Sequence, residues 1–402
     1  MRGFPDSADR LLVIFSDVEM GAGGVLDDFP HSDWLSELML SYTQGPTASL
    51  ALDLVFNGDT FDLLKTSIEG HYPRYVTEEV ALAKLERVIA AHPDFFTGIR
   101  TFLEGAHVAP RRVHFVVGNH DAELVFPAVQ RRIASLIGVE GVHFAGFDLD
   151  IGDVHIEHGN QGDPMFAVDP ARPIIEWRDQ VLLDLPWGST TLIDVVLPLQ
   201  PLLYPLDRVR PRTRVFELLP EVKDLLANAF WRYWTREYLY GVLQRSDPTW
   251  KISWTMLKEV MYRFSTFDPE TSGVPYKDLL RREEHHRVTV VGHHHQPAWW
   301  SWGDRKVLQA GCLRNEYVLG HDGAIESMLP KVYAEVAMSG DRAVRSHLVE
   351  IDGPAAPGHM PASLNDLRAQ ALPLLAPAEE RAQLQLAEQA QIAREAEDGS
   401  EG

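Results

Sequence analysis

A short apolar run, Val113-His114-Phe115-Val116-Val117, ends abruptly at Gly118-Asn119-His120-Asp121. The run reads as a buried strand and the glycine as the sharp turn that closes it. An amide, an imidazole and a carboxylate set at a strand's carboxyl end present chemistry; they do not fill a core. The same pattern recurs elsewhere. Leu11-Leu12-Val13-Ile14-Phe15 runs into Ser16-Asp17-Val18-Glu19, and Leu52-Asp53-Leu54-Val55-Phe56 runs into Asn57-Gly58-Asp59-Thr60-Phe61-Asp62. Val154-His155-Ile156-Glu157 leads to His158-Gly159, and Val288-Thr289-Val290-Val291 to Gly292-His293-His294-His295. Strand ends on one edge of a sheet converge in space, so five such clusters predict a single polar site. Gly58, Gly118, Gly159 and Gly292 sit beside the polar residues, where a missing Cβ permits a tight turn and close backbone approach.

Helical spacing between the runs sets the fold class. Val80, Leu82, Leu85, Val88 and Ile89 predict a helix over 76–91 with Thr77 as its N-cap, and a second helix is expected over 123–136. Strand–helix–strand alternation of this kind is the pattern of an α/β fold. Two further strands, 147–151 and 154–158, meet at the Gly152-Asp153 turn, and a hairpin 331–338/343–351 turns at Ser339-Gly340-Asp341. Residues 171–285 are rich in proline and then in Trp and Tyr, and read as a largely helical insertion or cap. The core is expected in two parts, 1–170 and 286–352, followed by an Ala/Glu/Gln-rich tail, 353–402, either a solvated helix or disordered.

Composition narrows the chemistry. Imidazole and carboxylate donors accompany a single cysteine, Cys312, so a thiolate zinc knot and an intramolecular disulfide are both excluded. Cys312 reads as a small buried residue and not a nucleophile. The donors suit Mn, Fe, Zn, Ni or Mg, and the set is large enough for two ions sharing a carboxylate. A formal charge of −21 argues against a nucleic-acid-coating surface. The longest apolar stretch, 191–206, is broken by Asp194, Pro198, Pro201 and Pro205, so no membrane span is expected. The polar amino terminus carries no signal-peptide pattern, and the cytoplasm is the expected compartment. A dinucleotide loop at Gly21–Gly24 is disfavoured because Leu26 stands where its third glycine belongs, and two acids close by would repel a pyrophosphate.

In this order the motifs Asp17-x-Glu19, Gly58-Asp59-x-x-Asp62, Gly118-Asn119-His120-Asp121, His158-Gly159 and Gly292-His293-x-His295 resemble those of the calcineurin-like metallophosphoesterase superfamily. They span residues 17–295 and leave the insertion and tail uncovered. The resemblance implies a four-layer α/β/β/α sandwich, two mixed sheets flanked by helices, holding two divalent metal ions. Asp17 and His295 would bind the first, Asn119, His158 and His293 the second, and Asp59 both. His120 would face the scissile phosphate and protonate the leaving oxygen, with Asp121 orienting it and Asp62 bracing the loop. The implied reaction is hydrolysis of a small-molecule phosphate mono- or diester, by in-line attack of a metal-bridging hydroxide.

Glu19 departs from the pattern, which has histidine there. Glutamate is an oxygen ligand that favours a harder ion, making Mn²⁺ the leading expectation; the other outcome is a weakened first site. Arg314 is expected as a phosphate clamp or as an ordinary surface arginine, and His294 is assigned no role. Three rival functions remain: a nuclease, against which the acidic balance weighs; a nucleotide-lipid pyrophosphate hydrolase, by analogy alone; and a binding scaffold that has lost catalysis, for which Glu19 is the one feature in favour.

Overall fold

The computed structural model describes residues 5, 7–105, 107–244, 248–266, 276, 279, 285–371, 373–375, 377–378, 380 and 383. Its centre is a pair of stacked sheets. The first contains β1 (Arg10–Phe15), β2 (Ala51–Asn57), β3 (Arg111–Val116), β4 (Val142–Gly146), and the long hairpin described below. The second contains β5 (Asp148–Ile151), β6 (Val154–Glu157), β7 (Val288–Val291), β8 (Ala298–Trp302) and β9 (Arg305–Gln309). The hairpin, β10 (Lys331–Ser339) and β11 (Arg342–Ile351), returns to the first sheet, giving the orders β11-β10-β1-β2-β3-β4 and β8-β9-β7-β6-β5. Strands β1 to β4 run parallel, with β10 antiparallel to β1; β7 is parallel to both β6 and β9. Both sheets are therefore mixed.

Burial on both faces explains the continuous apolar runs. In β1, Leu11, Val13 and Phe15 face one way and Leu12 and Ile14 the other, as the two-residue strand period demands. Leu12, Ile14 and Val55 meet Ile156, Val290 and Leu308 of the second sheet in an inner core. The outer face of the first sheet packs on α1 (Ser32–Ser41), α2 (Glu78–Ala91), α3 (Pro93–Glu104) and α4 (Pro127–Ile137). Phe56 stacks on Phe115 and meets Phe95 of α3 edge-on, with ring centroids 5.2 and 5.1 Å away. On the outer face of the second sheet, Tyr276 and Leu279 cover Val291 and Val307.

Thr77 caps α2 as its position predicts: its hydroxyl accepts from Val80 N at 3.3 Å, and Glu78 and Glu79 occupy the first turn. The helix expected over 123–136 is split. Residues 122–125 form one 3₁₀ turn and the α-helix starts at Pro127, because proline has no N–H to donate and suits the first helical position.

Residues 171–285 hold a small hairpin, Ile174–Trp177 with Gln180–Leu183, before the helices begin. The longest helices are Gln200–Asp207, Pro220–Arg232 and Trp254–Thr266. Val209–Arg210 pairs with Tyr317–Leu319, stitching this segment to the chain beyond β9. Downstream of the hairpin β10–β11, Leu364, Leu367 and Ala371 are buried against Leu199, Val215 and Leu219, so this part of the tail is packed. The stretch 378–397 lies almost wholly outside the described residues. Among the described residues no helix is long and apolar enough to cross a membrane.

Candidate metal centre

Every polar cluster singled out in the sequence follows directly on a strand: Asp17 and Glu19 after β1, Asp59 and Asp62 after β2, Asn119 to Asp121 after β3, His158 after β6, and His293 and His295 after β7. The carboxyl ends of the central strands of both sheets thus open on one place. The backbone there is strained. Among the described residues eight non-glycines have positive φ, from 49° to 71°, and five of them are Asp17, Glu19, Asp59, His293 and His295. Such φ values are uncommon outside glycine and cluster where side-chain placement is part of function. Two glycines make the approach possible: a Cβ on Gly58 would overlap the His158 ring, and one on Gly118 the Asp59 carboxylate.

The side chains fall into two groups, each with its donor atoms within 4.8 Å of one another: Asp17, Glu19 and His295; and Asp59, His158 and His293. In the first, His295 Nε2 lies 3.3 Å from Asp17 Oδ1 and 3.2 Å from Glu19 Oε1. In the second, His158 Nε2 lies 3.1 Å from Asp59 Oδ2. Asp17 Oδ1 is also 3.9 Å from His158 Nε2, so the groups are contiguous. Asn119 Oδ1 is buried without a hydrogen-bond partner, and Glu19 Oε1 and His158 Nε2 are buried with only the contacts to His295, Asp59 and Asp17 just given. Buried polar atoms are rarely left so, and an aggregate of them facing carboxylates is what a divalent cation satisfies.

The electrostatics agree. Burial opposes the His158 imidazolium, yet Asp59 and Asp17 outweigh it and lift its pKa to about 10. His295 is raised in the same way by Asp17, Glu19 and Glu316. A centre that draws protons onto its imidazoles has more negative charge than its side chains neutralise, and ions placed there would displace those protons. The donors fit two divalent metals.

The outer partners fix the rings. His158 Nδ1 pairs with Asn57 O at 2.9 Å, and His295 Nδ1 with Glu316 Oε1 at 2.9 Å. His293 Nε2 faces Asp163 Oδ2 at 3.2 Å, itself held by Arg263 at 2.7 Å. Glu19 is clamped on one side only: Oε2 takes Lys65 Nζ at 2.8 Å and Arg314 at 2.7 Å, leaving Oε1 toward Asp17 and His295. Those two cations outweigh burial and keep Glu19 ionised.

Two expectations are corrected. Asp121 does not orient His120. Its carboxylate accepts from the backbone N–H groups of Gly118 at 2.8 Å, Thr60 at 2.8 Å and Asp59 at 3.2 Å, and so braces the loop. The carboxylate beside the His120 ring is Asp62, whose Oδ1 lies 2.9 Å from His120 Nδ1; the same oxygen accepts from Lys65 N at 3.2 Å, so Asp62 also braces its loop as expected. Arg314 is not a surface arginine, and it lines the cavity beside the centre. It is 2% exposed and its guanidinium reaches Glu19, Asp207 and Asp28. Cys312 is buried as expected, and burial pushes its thiol up to about 12, far from a thiolate at neutral pH. His294, given no role, has its ring 4.9 Å from that of His293 and 5.1 Å from that of Tyr276, and it lines the cavity.

Lys65, Asp163 and Glu316 were not foreseen. Lys65 lies three residues beyond Asp62, in the same loop as a recognised motif, and its Nζ also pairs with Asp28 at 2.7 Å and Asp207 at 3.1 Å. Asp163 and Glu316 stand in loops where nothing in the local pattern marks them.

No family model and no curated protein matches the chain. Among solved structures it is similar to zinc-complexed Vps29 of Entamoeba histolytica, at 9% identity and a TM-score of 0.26, over 85% of this chain and 98% of that one. It is also similar to a dimetal phosphatase of Danio rerio, at 12% identity and a TM-score of 0.32, over 86% and 100% of the two chains. A phosphopantetheinyl hydrolase of Mycobacterium tuberculosis aligns at 12% identity and a TM-score of 0.23, over 76% and 91%. Two stacked mixed sheets, helices outside them and the site at their strand ends make an α/β sandwich.

Proposed function

We propose that this chain is a calcineurin-like metallophosphoesterase that hydrolyses a phosphate ester of a small molecule. The observation that carries the reading is the convergence of two histidine–carboxylate groups, with the buried Asn119 Oδ1 left without a hydrogen-bond partner, beside His120, which clusters with Glu19 and Asp62. Asp17, Glu19 and His295 would hold one metal, and Asp59, Asn119, His158 and His293 the other. Mn²⁺ is the leading candidate, because Glu19 brings an oxygen donor where a nitrogen would favour zinc; Fe, Zn, Ni and Mg remain in the test. Bound there, divalent ions bring the pKa of water into the neutral range and neutralise phosphate charge.

The chain's own residues supply the rest. His120 lines the cavity above the centre, and its Nδ1–H donates to Asp62, which leaves Nε2 for the substrate. Burial disfavours its charged form, but Asp59, Glu19 and Asp62 outweigh that and lift it to about 9. It therefore holds a proton at neutral pH and can hand it to the departing alkoxide oxygen; cations in the ligand groups pull its pKa back toward neutrality, which suits a proton donor. Asp62 keeps the ring in one tautomer and orientation. Arg210, held against Glu316, and Arg212 bring positive charge to the same cavity, where a phosphate dianion or diester is received.

The test is hydrolysis of p-nitrophenyl phosphate and bis-p-nitrophenyl phosphate by protein loaded in turn with Mn²⁺, Fe²⁺, Zn²⁺, Ni²⁺ and Mg²⁺. Turnover is expected with at least one ion, and its absence with all five returns the chain to a binding scaffold. His120→Ala is expected to lower turnover by about 10²–10⁴-fold, the usual reach of acid–base assistance, with metal content unchanged by elemental analysis. Loss of metal in that variant would show His120 to be a ligand instead.

A further inference from the structure

The metal centre does not open straight to solvent. It forms one end of a cavity of about 480 Å³ whose other walls come from the helical segment. Trp187, Leu203, Leu226, Phe230 and Val260 line it, contributed by the helices 187–191, 200–207, 220–232 and 254–266. Trp187, Leu203 and Val260 are almost fully shielded, whereas Leu226 and Phe230 are half-buried and face open space. Apolar side chains in a sealed core need no explanation, but a continuous apolar wall around an open cavity does, since it leaves water against hydrocarbon. The polar side chains on this side, Thr191, Gln200, Tyr204 and Lys223, are outnumbered by apolar ones. An aliphatic group needs no hydrogen-bond partner there, whereas a nucleobase or a sugar would find few for its several polar edges.

Most of the charged groups lie at the other end. Beyond the metal ligands, Arg210 reaches His295 at 3.3 Å, Arg212 pairs with Asp207 at 2.8 Å and Arg263 with Asp163 at 2.7 Å, in a chain whose formal charge is −21. Cations and metal ligands at one end with a hydrocarbon wall at the other make a site with a polar head and an apolar tail. We infer that the substrate is a phosphate ester carrying a flexible aliphatic chain: the phosphate sits at the metal centre and the chain lies along Trp187, Leu203, Leu226 and Phe230. This rests on the phosphoesterase reading for the head and on the cavity wall for the tail.

The two parts can be tested separately. Titration calorimetry of decyl phosphate against ethyl phosphate, below the aggregation limit of either, reads the tail. Decyl phosphate is expected to bind more tightly by roughly tenfold or more, as burial of methylenes allows, with a more negative heat-capacity change. Leu226→Glu, checked for folding by its melting curve, is expected to narrow that ratio, and Phe230→Ala to narrow it less. Equal affinities for the two esters, or a ratio indifferent to both substitutions, overturns the inference.

The catalytic arm compares p-nitrophenyl methyl, butyl and octyl phosphodiesters with the metal-loaded enzyme. A rise in kcat/KM along the series supports the inference. Turnover of all three at one rate overturns it and leaves the phosphoesterase reading in place. Tight binding of decyl phosphate with no turnover of any ester overturns that reading alone.

Discussion

Asp62 and Asp121 lie within reach of the same histidine in sequence, and only their hydrogen bonds separate their tasks. Asp62 touches the His120 ring, while Asp121 holds the backbone of the loop that carries Asp59. Asp62→Asn is therefore expected to lower turnover and shift its pH profile, leaving metal content and urea midpoint nearly as they were. Asp121→Asn should do the reverse: an amide replaces one of the two carboxyl oxygens that accept from the backbone N–H groups of Gly118, Thr60 and Asp59, destabilising the fold by about 1–3 kcal/mol, visible as a lower urea midpoint and weaker metal retention. Equal behaviour of the two variants would refute this division of tasks. The sequence made the ligands themselves legible, since each follows an apolar run and a glycine. It could not reveal who holds whom. Glu19 shows why: its charge makes sense only beside Lys65 and Arg314, which lie 46 and 295 residues away. Replacing Glu19 by histidine alone would take from those two cations one of the three carboxylates they share, leaving Asp28 and Asp207 to answer both.

Strands were the most legible elements because sheets buried on both faces write themselves as unbroken apolar runs, and every strand carrying a ligand could be read that way. The helix 76–91 was legible from its period and its cap. The small hairpin 174–183 was not, because four-residue strands with exposed residues give no period to count. Nor was the union between the helical segment and the core. Arg74, in the chain that follows β2, forms a buried ion pair with Asp194, stacks over Trp250 at 3.9 Å, and lies near Tyr233, whose hydroxyl donates to Asp194 at 2.7 Å. Arg74→Met removes the cation ion-paired with the buried Asp194 carboxylate. A loss of about 3–5 kcal/mol is expected from urea unfolding. The double variant Arg74→Met/Asp194→Leu should recover much of it, and failure to recover would show that the arginine acts through packing on Trp250 instead.

At the scale of the molecule, the charges beneath the centre form a continuous buried body, and one member is out of balance. Lys331, 1% exposed, donates to Arg314 O at 2.6 Å and Asn315 Oδ1 at 2.7 Å, neither of them ionised. Burial lowers its pKa from 10.5 to about 8. Below pH 8 both folded and unfolded chains hold this proton, and the buried charge costs stability in full. Between pH 8 and 10.5 the folded chain has released it while the unfolded chain has not, so stability rises with pH across that window, by on the order of 3 kcal/mol in all. Denaturation midpoints of the parent and of Lys331→Met, measured from pH 7 to 11, should differ by this slope. Parallel curves would mean that Lys331 stays charged.

The strained, positive-φ residues of the centre are also a statement about time. Asp17 and His295 stand at opposite ends of the core sequence and meet only when both sheets are complete, so the ligand groups cannot exist in a half-folded chain. Ions are then the last component to join, and they act on the way out of the native state, not on the way in. Saturating metal should slow unfolding in proportion to its binding energy, about 2.7 kcal/mol per site at a hundred times the dissociation constant, and leave the refolding rate untouched. Stopped-flow measurements with and without chelator distinguish this from a centre that nucleates the fold, for which refolding itself would quicken. A protein built this way guards its reactive site kinetically: once loaded, it must lose its metals before its sheets can part.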